Sequence, residues 1–196
     1  MIAVTRQNIK QAALNLLAAH GYEKTTLSAI AKEVGIKAPS IYSFFESKEA
    51  LFVEIYRDLL DEHFMQLKQL ITSNEGKAPE KRLKHLLKGI LSYHVHHPKE
   101  SRVLLQLLLF PPEFMQDEIE RLFIEKEEMQ RKLLMEIFTD AMNENVVRKQ
   151  AMDDLIASFF CLMDGLFLEL FYYGEDVLMG KLEQIWQVYW TGLTTS

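Results

Sequence analysis

Thr26-Leu27-Ser28-Ala29-Ile30-Ala31-Lys32-Glu33-Val34-Gly35-Ile36-Lys37-Ala38-Pro39-Ser40-Ile41-Tyr42-Ser43-Phe44-Phe45-Glu46-Ser47-Lys48-Glu49-Ala50-Leu51 decides the fold of this 196-residue chain. Leu27, Ile30, Ala31 and Val34 recur at helical spacing, and Thr25 or Thr26 stands where an N-cap belongs. Gly35 stops that helix and Ile36–Ala38 make a turn. Residues 39–44 restart as a short helix with Pro39 early, where a missing N–H leaves nothing unbonded. Ser47 caps a third helix that the pattern carries to about Ser73, roughly 40 Å at 1.5 Å per residue. Helix phase sorts the short helix. Ile41, Phe44 and Phe45 fall on one side, while Pro39, Ser40, Tyr42 and Ser43 point away from it. Two small hydroxyls, a phenol and a small ring suit groove edges and sugar-phosphate.

Lys37 precedes the short helix and Lys48 follows the cap Ser47. Cations at helix starts oppose the helix dipole, and a bound phosphate reverses that sign. Charge along the chain agrees with this placement. The total is −6, yet residues 1–50 hold six Lys/Arg against four acids, +2, and the remainder carries −8. A mildly basic head on an acidic body leaves only the head suited to a polyphosphate.

The rest of the chain also reads as helix. With eight Gly and five Pro it has few turn formers for an all-β fold, and 48% hydrophobic and 26% charged residues are ordinary for a globular protein. Residues 5–20 carry Ile9, Ala12, Ala13, Leu16 and Leu17 in phase, with Gly21 closing the helix. Ser73–Pro79 is the clearest linker. Stripes follow over residues 83–97, over 98–110 up to Pro111-Pro112, and over 113–143, where Ile119, Leu122, Phe123, Met129, Leu133, Ile137, Phe138 and Ala141 are read as the inner face. Residues 149–173 are apolar on nearly every side and are expected to be buried on every side, which a second chain would complete. The last helix carries Leu178, Leu182, Ile185, Trp186, Tyr189 and Leu193. The expected fold is all-α, about nine helices. A three-helix helix-turn-helix domain occupies 1–47, and a larger ligand-binding and dimerisation domain occupies 48–196.

The head resembles the N-terminal domain of tetracycline-repressor-type (TetR-family) regulators. The match runs from Gly21-Tyr22 through Thr25-Thr26, Ile30-Ala31, Gly35-Ile36, Ile41-Tyr42 and Phe45 to Lys48-Glu49. The resemblance implies a cytoplasmic homodimer, usually a repressor, that leaves a palindromic double-stranded operator when a small molecule binds. It implies phosphate contacts from Thr25 or Thr26, Tyr42 and Lys48, and groove contacts from Lys37, Ala38, Pro39, Ser40 and Ser43. One departure stands out: the family often has Tyr-His where this chain has Ser43-Phe44. Ser43 reaches less far, and Phe44 reads as core. No Arg, Asn or Gln lies on the outer face for a bidentate base contact, so reading is expected to lean on Lys37, thymine methyls and DNA shape.

Effector candidates are polar or soft groups on apolar stripes: Tyr93, His94, Phe159, Met163, Asp164 and Phe167. His94 reads equally as a core histidine with a backbone partner. Such an interior selects an apolar or amphiphilic ligand. Dimer candidates are Phe160, Leu168, Phe171, Leu182, Ile185, Trp186 and Tyr189. No metal site, cofactor or membrane span is expected. His94 and His97 share a face without a further ligand at proper spacing, Asp164 and Glu169 interrupt the longest apolar run, and the start lacks a basic-then-apolar leader. The alternatives are a dimeric helical adaptor that binds no DNA and an all-helical enzyme. For the latter there is no nucleophile–base pair or phosphate loop.

Overall fold

A computed structural model describes residues 5–194, and every element among them is helical. They are α1 (Arg6–Lys24), α2 (Leu27–Glu33), a 3₁₀ helix (Ala38–Ser43), α3 (Lys48–Thr72), α4 (Pro79–His96), α5 (Pro98–Leu109), a 3₁₀ turn (Glu113–Met115), α6 (Gln116–Asn143), α7 (Met152–Glu169) and α8 (Glu175–Leu193). Two compact units result. One comprises the chain through Glu62 with His97–Ile124, and the other comprises His63–His96 with the chain from Glu125. The functional boundary expected at 47/48 and this packing boundary divide the chain at different places.

The first unit is built on α1. Thr5 caps it reciprocally: the Asn8 N–H donates to Thr5 Oγ1 at 3.2 Å, and the Thr5 N–H donates to Asn8 Oδ1 at 3.0 Å. Ile9, Ala12, Ala13 and Leu17 form its buried face. Alanines there let α2 and α5 approach closely. The helical path breaks at Gly21 (φ 75°, ψ 175°), a conformation that a side chain resists, and one more turn follows to Lys24. From α5, Val103, Leu104 and Leu107 complete the core. Lys99 Nζ donates to Asn15 at 2.9 Å, and Arg57 Nε to Glu118 at 3.1 Å.

The second unit packs α4, α7 and α8 on one another with parts of α3 and α6. Leu67, Leu83, Leu87, Leu134, Phe138, Phe159, Leu182 and Trp186 are among its buried residues. Each such side chain contributes about 1.5–3 kcal/mol by leaving water. The stripe of α6 differs from the sequence reading. Met129 is 52% exposed and Gln130 only 4%, so the inner line runs Gln130, Leu134, Ile137, Phe138, Ala141. Gln130 bonds Met163 Sδ at 3.6 Å, so its amide tolerates the apolar setting. The run 149–173 is shorter as a helix than expected, and one protomer alone buries only one side of it. Leu155, Ile156, Phe159, Met163 and Leu166 face the core, while Ala157, Cys161, Gly165 and Leu168 are exposed.

Candidate nucleic-acid interface

The turn before the short helix is fixed by backbone bonding. The Gly35 N–H donates to Lys32 O (3.3 Å) and the Ile36 N–H to Ala31 O (2.9 Å). That pair closes α2 with Gly35 in the left-handed region, φ +73°. The short helix is 3₁₀ rather than α, opened by the Ser40 N–H to Lys37 O at 2.9 Å. Three residues per turn eclipse positions i and i+3, so Ile41 and Phe44 lie above one another. Ile41 is fully buried and Phe45 nearly so, while Phe44 is half-buried. Arg6 fixes the inner side from α1, bonding the Phe44 carbonyl and Glu54, with its guanidinium 4.2 Å from the Phe45 ring centroid. Sequence reasoning passed over Arg6. Its signal was a lone arginine opening a helix beside an aromatic pair distant in sequence.

The outer face stands as the phase argument placed it. Lys37, Pro39, Ser40, Tyr42 and Ser43 are exposed, Tyr42 by 59%, and Ala38 is half-exposed. The two threonines separate. Thr26 is exposed and accepts the Ala29 N–H at 3.1 Å. Its own hydroxyl proton remains for an outside acceptor. Thr25 is 1% exposed and donates to Gly21 O at 2.8 Å, so its side chain serves the kink and is not presented outward. Ser43 uses its single proton on Ser40 O at 2.7 Å, which leaves it an acceptor and not a phosphate donor. Lys48 is half-buried. It donates to Tyr22 O at 2.9 Å and lies 3.9 Å from the Tyr22 ring centroid. Two of its three N–H bonds remain.

The sequence-expected effector residues lie in the second unit. His94 is buried, with Nε2 3.0 Å from His63 Nδ1 and its ring 4.5 Å from Phe167 and 5.2 Å from Tyr93. One ring nitrogen of His94 is therefore partnered by a second imidazole. Burial pushes the His63 imidazole down to about 4. His63 was missed, although it stands three residues after Leu60 and four before Leu67 on the α3 stripe. Phe159 is core, 6.1 Å from Phe138. Asp164 is exposed and not buried as expected, because it follows Met163 by one step around α7. Partial desolvation, then Glu127, raises its carboxyl. Of the dimer candidates, Leu182 and Trp186 are buried within the protomer and cannot form an outer face. Tyr189 is half-buried, its hydroxyl 3.0 Å from Ser158 Oγ. Leu168 (41%) and Ile185 (36%) are exposed, and Phe160 and Phe171 are half-buried. Among the described residues, no group of three metal-ligating side chains forms and no helix is long and apolar enough to cross a membrane.

Residues 9–55 match the family described as bacterial regulatory proteins, tetR family. The HTH-type transcriptional repressor KstR2 of Mycolicibacterium smegmatis is 27% identical over 165 residues, 80% of this chain and 74% of the relative. The HTH-type transcriptional regulator RutR of Escherichia coli is 27% identical over 118 residues, 60% of this chain and 54% of its own length, so the chain spans about half of that relative. The fold matches that of the transcriptional regulator FadR from Bacillus subtilis, crystallised with stearoyl-CoA. That match has a TM-score of 0.74 at 17% identity and covers 96% of this chain and 100% of the other. The matched segment contains the whole turn, the exposed 3₁₀ face and the cap Ser47 with Lys48, and on that ground the chain carries the TetR-family helix-turn-helix domain of a DNA-binding transcriptional regulator.

Proposed function

We propose that the protein is a ligand-responsive repressor that binds a palindromic operator as a homodimer and leaves it when a small apolar or amphiphilic effector binds. The observation that carries the DNA half is the sorting of the 3₁₀ helix. Lys37, Pro39, Ser40 and Tyr42 are outward over a buried Ile41–Phe45 base, with Thr26 and Lys48 flanking. Thr26, Tyr42 and Lys48 donate to phosphates. Lys37, Ala38, Pro39 and Ser40 meet the groove, with Ser43 as an acceptor there. Without a bidentate side chain, shape and thymine contact discriminate sequence. The effector half is supported by the aromatic and thioether groups around His94 and Met163, and by a fold shared with a regulator that holds a long acyl chain. Half-sites are expected one helical turn apart, roughly 34–36 Å.

The test is titration of a labelled duplex from the region upstream of the protein's own gene, followed by anisotropy over a range of salt. Tyr42→Phe combined with Lys48→Ala is expected to weaken binding and to lower the salt slope by about 0.9 for each phosphate no longer neutralised. An unchanged affinity and slope would remove these residues from the interface. Addition of long-chain acyl-CoA and free fatty acid series then tests release. DNA affinity indifferent to such apolar ligands would rule out this effector class.

A further inference from the structure

Tyr22 lies at the end of α1 and carries no part of the outward face, yet three elements meet on it. Its carbonyl accepts two hydrogen bonds, the Thr25 N–H at 3.1 Å and Lys48 Nζ at 2.9 Å. Its ring lies 3.9 Å beneath the same ammonium. A lysine at the first position of a helix is electrostatically misplaced. A C-terminal carbonyl of another helix and an aromatic face together supply what the dipole withholds.

Two rings hold the Tyr22 ring in turn. Phe52 meets it edge-on (4.8 Å, 87°) and Phe114 at a tilt (5.3 Å, 43°). Phe52 is one helical turn after Lys48 on α3, so it moves with the lysine. Phe114 belongs to the 3₁₀ turn Glu113–Met115 that opens α6. It is 44% exposed while its neighbour Met115 is fully buried. Met115 therefore anchors the turn, and Phe114 leans outward from that anchor onto Tyr22. An aromatic ring left so exposed contributes little core, and its contact with Tyr22 is what its position achieves. The phenol of Tyr22 is held protonated, pushed up to about 12 by burial and then by Glu49 and Glu23. It is thus a neutral donor toward Glu49 at the head of α3.

We infer that Phe114 is a positioning residue for DNA contact: it braces the Tyr22 ring on which the Lys48 ammonium rests, so the turn before α6 sets where a phosphate-binding lysine stands. The inference rests on the proposed phosphate contact of Lys48. It assigns to residues 113–115, far outside the helix-turn-helix in sequence, a direct hold on DNA affinity. A shift of this turn moves the ring platform and with it the lysine, leaving the 3₁₀ face itself untouched.

A double-mutant cycle tests it, with wild-type protein, Phe114→Ala, Phe114→Tyr, Lys48→Ala and Phe114→Ala/Lys48→Ala titrated against one duplex recovered from a random library by the wild type. Phe114→Ala is expected to weaken binding up to about tenfold per half-site, the worth of one charge-assisted hydrogen bond, and to lower the salt slope as Lys48→Ala does. Phe114→Tyr keeps the ring and is expected to retain affinity. The double variant is expected to bind no more weakly than Lys48→Ala alone. Equal affinity and slope in Phe114→Ala overturns the inference, as does an effect of Phe114→Ala that persists in full without Lys48. A Lys48→Ala protein that binds as wild type instead overturns the lysine assignment, and it is scored separately. Melting curves accompany each variant, and Phe114→Leu replaces Phe114→Ala should the latter fail to fold.

Discussion

At the scale of single residues, two polar groups, one buried and one half-buried, have consequences for stability. Tyr56 is fully buried on α3, and its Oη has no hydrogen-bond partner among the described residues. Burial alone pushes its hydroxyl upward. A desolvated hydroxyl without a partner costs about 1–3 kcal/mol, and Tyr56→Phe removes the oxygen while keeping the ring. The substitution is expected to stabilise by about 1 kcal/mol, raising the urea midpoint with an unchanged slope. A lowered midpoint would mean that the hydroxyl is bonded after all. His63 acts through pH. Its folded value of about 4 lies below its ordinary 6.5, so between those values the unfolded chain binds more protons. The stability that comes from neutral His63 is complete above about pH 6.5 and is lost as pH falls toward 4. The shift sets a ceiling of ~3 kcal/mol, and the partial exposure of His63 reduces the expected loss to about 1–2 kcal/mol. Urea unfolding at about pH 7.5 and about pH 5 measures it. His63→Gln should flatten the difference, and an equal pH dependence in that variant would place the titrating group elsewhere.

At the scale of elements, the α2 terminus shows how one backbone position governs the interface. An added Cβ at Gly35 meets no atom within 4 Å, so space is not the constraint there; φ of +73° is. Gly35→Ala is expected to cost about 1–2 kcal/mol, and Gly35→Asn less, because asparagine tolerates the left-handed region. Thermal melts rank the two, and equal melting temperatures would show that the turn can adopt another path. The same helix ends explain what was legible in advance. Thr26, Gly35, Pro39 and Ser47 are local signals with local causes, so the helix-turn-helix and its outward face were readable. The 3₁₀ form was not, because six residues fit either helix. Met129 was read for Gln130 because a twenty-eight-residue helix passes through two units, and one apolar stripe cannot describe both. The roles of His63, Arg6 and Phe114 depend on contacts between residues 31, 38 and 92 positions apart. No periodicity carries that information.

At the scale of the whole molecule, charge and exposed apolar surface converge on the need for two copies. The surplus of +2 in residues 1–50 overstates what meets DNA, since Arg6 and Lys10 are paired with Glu54 and Asp58 of α3. A single head thus offers few free cations, and binding driven by so few phosphate contacts belongs to the range of roughly 10⁻⁴–10⁻⁶ M. Specific sites are held at about 10⁻⁸–10⁻¹¹ M, which two linked heads can reach. The surface proposed for that linkage is the outer line of α7 and α8. Leu168 (41%), Val177 (53%) and Val188 (77%) are exposed there with Tyr172 (81%). Leu168→Arg combined with Val188→Arg places charge on that line without touching the protomer core. The pair is expected to yield a monomer by light scattering and to weaken operator binding by about a hundredfold or more, the difference between one head and two. Leu182→Ala serves as the contrast: it is buried within the protomer and is expected to destabilise by about 2–5 kcal/mol. A double-arginine variant that stays dimeric would move the interface off α7 and α8. A monomer that holds the operator as tightly as wild type would show that one head suffices.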